Sequence, residues 1–463
     1  MLFREGKESE METEEKIVII GVNHAGIAVA KNLNRSGKNF EITMIDKGSN
    51  LGYLNCGTPF LLANTIDSYK KFFYTDNKTL SQEVAALYTG SNVKAIDFRN
   101  KKVSFEDSKG SHRVSYDKLV LATGASQVSL GVSGNELQGI YRVKDINKAL
   151  EVKKKIESDT VKNIAIIGGG YIGVELAAAI KKQNKNITIF DANSQLMSSH
   201  YDEIFGEIVS KKLVEHGISV KLNEEVQSYV GKDDQISQII TNHGKYSVDM
   251  VILTMGFLPN TTLGRFHLEL YTNGAYIVNE HQQTSDPDVY AVGDCSTSYS
   301  NILKELVVNF SVSDAMRGAY IAAKNIAGEP VVSNGTQLAN AVRVYDTNFF
   351  SAGITVAQAE RYGVPCSYVD YEEWQRPEFM LENNKIKLRL VYHQDNHRII
   401  GAQIVSKSDQ SGVLHMLSLA IQKEVTIEEL QVSDFFFYPY FNQPNNFVIE
   451  AVKHANLVEE EKG

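Results

Sequence analysis

The chain has 463 residues, of which 43% are hydrophobic and 22% charged, so two to four folded domains with a sizeable core are expected. A formal net charge of −9 argues against nucleic acid or an anionic membrane as the main partner. No apolar run is long enough to cross a bilayer, and the first residues lack the apolar stretch of a signal peptide. We therefore expect a cytoplasmic protein with a disordered extension over residues 1–15.

Two segments show the same pattern of an apolar strand, a glycine-rich turn, a helix and a second strand that ends in an acid. The first segment covers residues 17–46, and its helix is predicted over about 27–36. The second covers residues 164–191, with a helix predicted over about 174–182. Each pattern is typical of a βαβ unit that binds a nucleotide, so the sequence predicts two such sites.

The first turn reads GVNHAG and departs from the G-x-G-x-x-G pattern, because Asn23 stands where the second glycine is expected. Taken alone, this turn is a weak signal. Asp46 at the end of the next strand can hold an adenosine ribose. Two later segments support FAD here: the strand and small-residue turn YDKLVLATGA over 116–125, and TSDPDVYAVGD, which delivers Asp294 where a carboxylate could bind the ribityl chain.

The second turn reads GGGYIG and fits the dinucleotide pattern completely. Gly168 permits the tight turn, Gly170 lets the backbone approach a pyrophosphate, and Gly173 lets the helix pack close to the strand. Asp191 ends the next strand, where a carboxylate accepts from a ribose 2′-hydroxyl and repels a 2′-phosphate. The alternative, a glycine-rich turn without a ligand, fits the strand, helix and terminal acid poorly. The sequence therefore favours NADH over NADPH.

Cys56 is the cysteine with a candidate role, since the three cysteines form no CxxC pair, zinc spacing or disulfide framework. It lies about ten residues after Asp46 and just before Gly57-Thr58-Pro59 and an apolar run. If that run starts a helix, its dipole would favour the thiolate. The alternative is an inert packing cysteine. His24 in the first turn is a candidate proton donor, and its alternative is a histidine that only caps the helix.

The remaining sequence predicts the domain order. The mixed, charged stretch 144–162 is interpreted as a loop at which the chain crosses between domains. Strands near 387–392 and 399–405, a helix near 412–422, and a capping box from Thr426 to Glu429 indicate a separate α+β domain. We expect a discontinuous FAD-binding domain over 16–125 and 257–330, an NAD-binding domain over 126–256, and an interface domain over 335–463.

Together these residues resemble the pyridine nucleotide-disulfide oxidoreductases, and most of all their water-forming NADH oxidases and NADH peroxidases. The motifs that carry the resemblance are GVNHAG, LNCG, YDKLVLATGA, GGGYIGVELA, VDMVILTMGFLPNTTLG, TSDPDVYAVGDC and the aromatic run DFFFYPYFNQP. The resemblance implies an α/β fold with two Rossmann-like nucleotide-binding domains and a C-terminal α+β interface (dimerisation) domain. It also implies FAD and NADH as cofactors and a homo-oligomer, either dimer or tetramer.

The resemblance assigns roles to matching positions. Cys56 would be the redox-active cysteine that cycles between thiolate and sulfenic acid, with His24 beside it. The expected FAD contacts, in addition to these two, are Gly21, Asn23, Ala25, Asp46, Lys47, Ala122, Thr123, Gly124, Ala125 and Asp294. The expected NADH contacts are Gly168, Gly170, Tyr171, Ile172, Gly173, Asp191 and Gly256.

Three positions depart from the family pattern: Asn445 replaces an aromatic, Asp314 replaces an asparagine near the flavin, and His200 replaces a tyrosine over the nicotinamide. The aromatic run 435–441 is either core packing of the last domain or a cover for the neighbouring subunit's active site. The implied activity is reduction of O2 to water by NADH through flavin and Cys56. NADH peroxidase, coenzyme A-disulfide reductase and a low-turnover flavoprotein redox sensor stay open as alternatives.

Overall fold

The structure, a computed structural model, describes residues 14–460. Its first part is built on a five-stranded parallel sheet and a smaller antiparallel one. The elements are β1 (Glu15–Ile20), α1 (His24–Asn34), β2 (Phe40–Ile45), α2 (Thr58–Leu62), α3 (Asn77–Ser81), β3 (Ala86–Tyr88), β4 (Asn92–Asp97), β5 (Lys102–Asp107), β6 (Gly110–Ser115), β7 (Lys118–Leu121) and β8 (Ala125–Gln127).

A second parallel sheet follows, with its own antiparallel three-stranded sheet. The elements are β9 (Ile140–Tyr141), α4 (Ile146–Ile156), β10 (Asn163–Ile167), α5 (Tyr171–Lys181), β11 (Asn186–Phe190), α6 (Glu203–Glu215), β12 (Ser219–Lys221), β13 (Val226–Lys232), β14 (Gln235–Thr241), β15 (Lys245–Ser247), β16 (Met250–Leu253) and β17 (Phe257–Pro259).

The chain then returns to the first sheet before it enters the last layer. The elements are β18 (Val289–Ala291), β19 (Ser298–Tyr299), β20 (Leu306–Val307), α7 (Val312–Ile326), β21 (Asn340–Val344), β22 (Thr347–Gly353), α8 (Val356–Tyr362), β23 (Cys366–Trp374), β24 (Lys385–His393), β25 (Ile399–Ser406), α9 (Ser411–Gln422), α10 (Ile427–Gln431) and α11 (Phe447–Glu460).

The two parallel sheets have matching strand orders, β18-β7-β1-β2-β3 and β9-β16-β10-β11-β12. Their central strands β1 and β10 are almost continuous apolar runs, as expected of strands that are covered on both faces. In each sheet the glycine turn follows the central strand directly. Both turns therefore open at the carboxyl edge of a parallel sheet, where α/β proteins bind nucleotides. This pair of Rossmann-like sheets confirms the predicted fold class.

The last layer is a five-stranded antiparallel sheet in the order β21-β22-β25-β24-β23, covered by α9, α10 and α11. Its core buries aliphatic side chains such as Leu388, Leu417 and Val452. The capping box predicted from Thr426 is present: its hydroxyl accepts from the Glu429 N–H, while the Glu429 side chain accepts from the Thr426 N–H. The predicted α+β C-terminal domain is confirmed.

Several predicted boundaries are wrong. Helices α1 and α5 begin three residues earlier than predicted, because the last glycine of each turn already belongs to the first helical turn. Glu15, predicted to be part of the disordered extension, pairs with Phe40 in the first sheet. The remainder of that extension, apart from Glu14, lies outside the described residues.

The stretch 144–162, predicted to be a loop, contains α4. Four apolar residues at helical spacing, Ile146, Ala149, Val152 and Ile156, are buried, while the lysines between them face outward. Asp145 caps this helix by accepting from the backbone N–H groups of its first turn. No helix among residues 14–460 is long and apolar enough to span a membrane.

Candidate functional site

The first glycine turn is held by two features that lie far apart in the sequence. Gly21 has a φ of +103°, and a β-carbon there would lie 2.1 Å from the Ala122 carbonyl oxygen, so only glycine fits. The Asp46 carboxylate accepts from the N–H groups of Val22 at 2.6 Å and of Gly48 at 2.7 Å. Since each carboxylate oxygen has two lone pairs, Asp46 keeps capacity to accept from a ribose hydroxyl.

The N-terminus of α1 leaves polar groups without a protein partner. Asn23 occupies the N-cap position, but its side chain makes no capping hydrogen bond. Within residues 14–460, the buried atoms Asn23 Oδ1 and His24 Nε2 have no hydrogen-bond partner. Unsatisfied buried polar atoms are rare in proteins. The free N–H groups at this helix N-terminus favour an anion such as a pyrophosphate. The Asn23 amide oxygen accepts hydrogen bonds, so it and the His24 ring nitrogen would take their partners from other parts of a bound flavin dinucleotide.

The other predicted flavin contacts surround this turn. Ala122, Thr123 and Gly124 follow β7, and the Thr123 hydroxyl donates to the Asn260 carbonyl at 2.6 Å. Asn260, which the sequence analysis did not single out, also donates to the Thr123 carbonyl at 2.9 Å and so ties this turn to the segment after β17. Ala25 is buried in α1, while Lys47 is exposed just beyond Asp46.

Asp294 lies in a short 3-10 turn beyond β18 and forms an ion pair with Lys144 at 3.1 Å. Lys144 also donates to the Ala125 carbonyl at 2.7 Å and lies over the Phe257 ring. Burial lowers the pKa of His24, nearby Asp294 raises it, and Lys144 lowers it again. The result is a half-buried imidazole that is neutral near pH 7. No sequence pattern indicates Lys144, since its partner Asp294 is 150 positions away.

Cys56 lies in a 3-10 turn over Asn55–Gly57 that leads directly into α2, and its side chain is exposed. The predicted helix after this cysteine is confirmed, although it is only five residues long. A β-carbon at Gly57 would lie 2.3 Å from the Phe72 ring, so the turn packs tightly on that side chain. Cys56 is therefore neither buried nor a packing residue, which removes the alternative of an inert core cysteine.

The segment 72–74 connects Cys56 with His24. The Leu54 N–H donates to the Phe72 carbonyl at 3.0 Å, which places this segment against the cysteine turn. Two residues on, the Tyr74 ring stacks on the His24 ring with centroids 5.4 Å apart. No feature of the sequence indicated Tyr74. The structure thus brings the two predicted catalytic residues to opposite sides of one short segment.

The second glycine turn repeats the construction of the first. Gly168 has a φ of +105°, and a β-carbon there would lie 2.7 Å from the Thr254 carbonyl oxygen. Asp191 accepts from the Gly169 N–H at 2.5 Å and from the Asn193 N–H at 2.8 Å. Gly170 is the N-cap of α5 and has open space at its β-carbon position, so a ligand can approach the backbone.

Tyr171, the first residue of α5, is influenced by carboxylates from both halves of the nucleotide-binding region. Burial raises the pKa of the Tyr171 phenol, and the nearby carboxylates Glu175 and Asp294 raise it further. Burial also raises the pKa of Glu175 to about 7. Glu175 lies in the GGGYIGVELA motif, which by itself indicates no role for this residue. The Tyr171 phenol, at the start of α5, is therefore influenced by Asp294, a carboxylate that follows β18 of the first sheet.

The structure also shows where the other predicted NADH contacts and the three departures from the family pattern lie. Ile172 and Gly173 are in the first turn of α5, and Gly256 lies in an exposed turn with a φ of +95°. His200 lies edge-on to the Tyr171 ring, with centroids 5.6 Å apart. The charge of Asp314 is matched by Arg317 within α7, and Asn445 is exposed.

The aromatic run near the C-terminus is mostly outside the core. Phe435 packs against the last domain, but Phe436, Phe437, Tyr438, Tyr440 and Phe441 are exposed. Core packing is therefore the wrong interpretation for most of this run. An exposed apolar patch of this kind is typical of a protein interface.

The chain is similar to known proteins over almost its whole length. Residues 15–316 match the pyridine nucleotide-disulphide oxidoreductase model, and residues 341–446 match the dimerisation domain of the same family. An NADH oxidase of Lactococcus lactis is 40% identical over 95% of this chain and all of its own length. One from Streptococcus pyogenes is 36% identical over 95% of this chain and 99% of its own length.

Solved structures agree in fold over nearly the whole chain. A water-forming NADH oxidase from Lactobacillus brevis, bound to NADH, superposes with a TM-score of 0.94 at 29% identity, covering 97% of this chain and all of that one. An NAD-dependent persulfide reductase from A. fulgidus has a TM-score of 0.93 at 25% identity, covering 96% of this chain and 84% of that one. The chain belongs to the pyridine nucleotide-disulphide oxidoreductase family.

Proposed function

We propose that this protein is an FAD-dependent NADH oxidase that reduces O2 to water and uses Cys56 as its single redox-active cysteine. The observation that carries the proposal is the exposed Cys56, whose turn is linked to His24 through segment 72–74, in a chain whose relatives are NADH oxidases. The sequence has two other cysteines: Cys295 is buried and Cys366 lies in the last domain. A sulfenic acid, rather than an internal disulfide, is therefore the oxidised form available to Cys56.

FAD is proposed to bind at the first glycine turn. Asp46 would accept from the adenosine ribose, the N-terminus of α1 would hold the pyrophosphate, and Asp294 would accept from the ribityl chain. When bound, the flavin supplies the transfer of electron pairs from NADH to O2 and to the oxidised cysteine. The Lys144–Asp294 pair links the Ala125 carbonyl to the end of β18, and Asp294 influences both His24 and Tyr171 electrostatically, so we assign this pair a role in orienting the reacting groups.

NADH is proposed to bind at the second glycine turn. The Gly170 backbone would approach its pyrophosphate, and Asp191 would accept from the adenosine ribose while excluding a 2′-phosphate. Glu175 and Asp294 both raise the pKa of the Tyr171 phenol, and we assign the Tyr171 ring the role of closing the nicotinamide pocket until NADH enters. The Lactobacillus brevis relative, bound to NADH, supports this assignment.

Cys56 is proposed to carry out the second two-electron reduction, from H2O2 to water. Its thiolate attacks one oxygen of H2O2, the O–O bond breaks, and the departing hydroxide takes a proton to become water while sulfur becomes sulfenic acid. Two electrons and a proton, delivered together from a second NADH, then break the S–O bond, which releases the second water and restores the thiolate. Overall, two NADH, two protons and one O2 give two NAD+ and two waters.

His24 is proposed to assist proton transfer at the Cys56 sulfur. Because burial lowers its pKa, the imidazole is neutral, and its unpartnered Nε2 is available for a hydrogen bond to the oxygen that leaves as water. Tyr74, stacked on the ring, holds the imidazole in place. His24 thus serves the cysteine chemistry rather than the capping of α1, since its helix has no side-chain cap.

The active protein is proposed to be a homo-oligomer, either dimer or tetramer. The matched dimerisation domain and the exposed aromatic run 435–441 support this, and the run would lie over the active site of the neighbouring subunit. A cytoplasmic location is also proposed, because three unpaired cysteines suit a reducing compartment. The net charge of −9 favours no nucleic-acid or membrane partner.

Oxygen uptake measured with NADH in excess tests the proposed function. We expect two NADH oxidised per O2 consumed and no effect of catalase on that ratio. A peroxidase would need added H2O2 and consume no O2, and a coenzyme A-disulfide reductase would need that disulfide. A redox sensor would show negligible turnover with any acceptor. Each of these three results would contradict the oxidase proposal.

A further inference from the structure

The loop over residues 195–202, here called the bracing loop, lies directly against the second glycine turn. The Met197 N–H donates to the Gly169 carbonyl at 2.9 Å. A β-carbon at Gly169 would lie 2.3 Å from the Leu196 side chain, so the loop and the turn are in close contact. Further along, the His200 ring meets the edge of the Tyr171 ring. Any displacement of this loop therefore displaces the residues that are proposed to bind NADH.

The other side of the bracing loop is held by the C-terminal domain. The Ser351 hydroxyl, buried in β22, donates to the His200 carbonyl at 2.8 Å. The Gln358 amide in α8 donates to the Ser199 carbonyl at 3.0 Å. These two donors satisfy consecutive backbone carbonyls of a loop that has no regular secondary structure. The loop thus lies between the nucleotide-binding turn and a separate domain.

The end of the bracing loop is fixed more firmly still. Asp202 is 4% exposed, and its Oδ2 accepts from Gln403 at 2.6 Å, while Gln403 accepts from the Asp202 N–H at 2.6 Å. The same carboxylate accepts from the first N–H groups of α8 and lies 3.3 Å from Arg389. A buried charge with this many directional partners has a single low-energy position.

We propose that the C-terminal domain sets the affinity for NADH by holding the bracing loop against the second glycine turn through Ser351, Gln358 and the Asp202–Gln403 pair. This inference rests on the proposed function, since it concerns the same NADH site. Ser351 and Gln358 are positioning residues, because they act through the loop and touch no proposed ligand. The domain that carries the proposed subunit interface thereby also shapes the nucleotide site of its own chain.

The double variant Ser351→Ala, Gln358→Glu removes both donors with little other change. Glutamate at 358 preserves the α8 capping box, because its carboxylate still accepts from the Thr355 N–H. We expect the KM for NADH to rise roughly five- to tenfold, as the loss of two hydrogen bonds would allow, with kcat within about twofold. In flavin-loaded enzyme without NADH, amide hydrogen exchange over 195–202 should be faster while bound flavin is unchanged.

The matched control is Ser418→Ala, Glu429→Gln. Ser418 donates to Gln337 within the C-terminal domain, and Glu429 closes the other capping box, so neither touches the loop. The control should keep the wild-type KM and exchange rates. If the double variant behaves like this control, the inference is wrong; if it does not fold, Gln358→Glu alone decides by the same two readouts. Wild-type protein that does not oxidise NADH would instead contradict the proposed function, and hydrogen exchange would still test the bracing.

Discussion

The two glycine turns share one construction and differ in what surrounds it. In both, the first glycine has a positive φ and no room for a β-carbon beside a neighbouring carbonyl oxygen. In both, an aspartate after the next strand accepts a hydrogen bond from a backbone N–H of the turn. The first turn replaces the middle glycine by Asn23 and is followed by His24, with two buried atoms left unpartnered. The second keeps Gly170 and is braced from outside by the C-terminal domain.

This difference teaches which positions of the motif build the turn and which serve the ligand. Gly21 and Gly168 cannot change, because backbone geometry requires them in both copies. The middle position tolerates asparagine, since it is not needed to close the turn. The turn that is proposed to hold flavin therefore carries polar side chains, while the turn that is proposed to hold NADH presents bare backbone.

The largest expected effect comes from breaking each turn in the same way. Gly21→Ala should strip the protein of flavin, whereas Gly168→Ala should retain flavin and raise the KM for NADH at least about tenfold, because a β-carbon there both clashes and strains the backbone. The flavin absorbance per protein and the KM measure the two effects. Gly37→Ala, at an exposed positive-φ position without neighbours, is the control. Equal loss of flavin in both variants would refute the division of roles.

The next effect concerns the external bracing of the second turn. Arg389 is buried and pairs with Asp202 and Asp370, so Arg389→Met leaves two carboxylates without their cation. We expect the free energy of unfolding to fall by about 3–5 kcal/mol, measured by urea denaturation. Arg398→Met, which removes an exposed pair with Glu424, should cost about 1 kcal/mol or less. Equal losses of unfolding free energy in the two variants would show that the buried ion pairs of Arg389 stabilise the fold no more than an exposed pair does.

The smallest effect comes from Glu175 on α5, where α1 carries Ala28 at the matching position. Burial raises the folded-state pKa of Glu175 to about 7. The stabilisation of the folded state that the protonated carboxyl allows is therefore fully present below the unfolded pKa near 4.5, and it is lost as the pH rises towards 7. Glu175→Gln should remove that loss. Urea denaturation at pH 5 and pH 8 should show a smaller pH dependence in the variant, and an unchanged dependence would contradict the assignment.

Sequence patterns predicted what depends on near neighbours. Both glycine turns, their terminal acids, the Thr426 capping box and the helix after Cys56 follow from short spacings and are present. The fold class followed from the same βαβ units. The predicted starts of α1 and α5 are three residues late, because the last glycine of each turn is already the third residue of its helix. Helix α4 was not predicted, because many charged residues separate its four buried apolar residues.

The missing site residues depend on contacts between distant parts of the chain. Lys144 meets Asp294 across 150 positions, and Tyr74 reaches His24 from a segment with no motif. The bracing loop depends on Ser351, about 150 residues further on. Periodicity also could not decide between core and surface for the aromatic run 435–441, because aromatic residues are enriched at subunit interfaces as well as in protein cores. Such contacts are properties of the folded chain rather than of any local pattern.

The most direct test of the account is the product formed by Cys56→Ser, with Cys366→Ser as the control. If the Cys56 thiolate reduces peroxide, the variant should consume one NADH per O2 and release H2O2, while wild type and control consume two and release none. Oxygen uptake with and without catalase, alongside NADH absorbance, gives both ratios. A Cys56→Ser enzyme that still oxidises two NADH per O2 and releases only water would contradict the central claim.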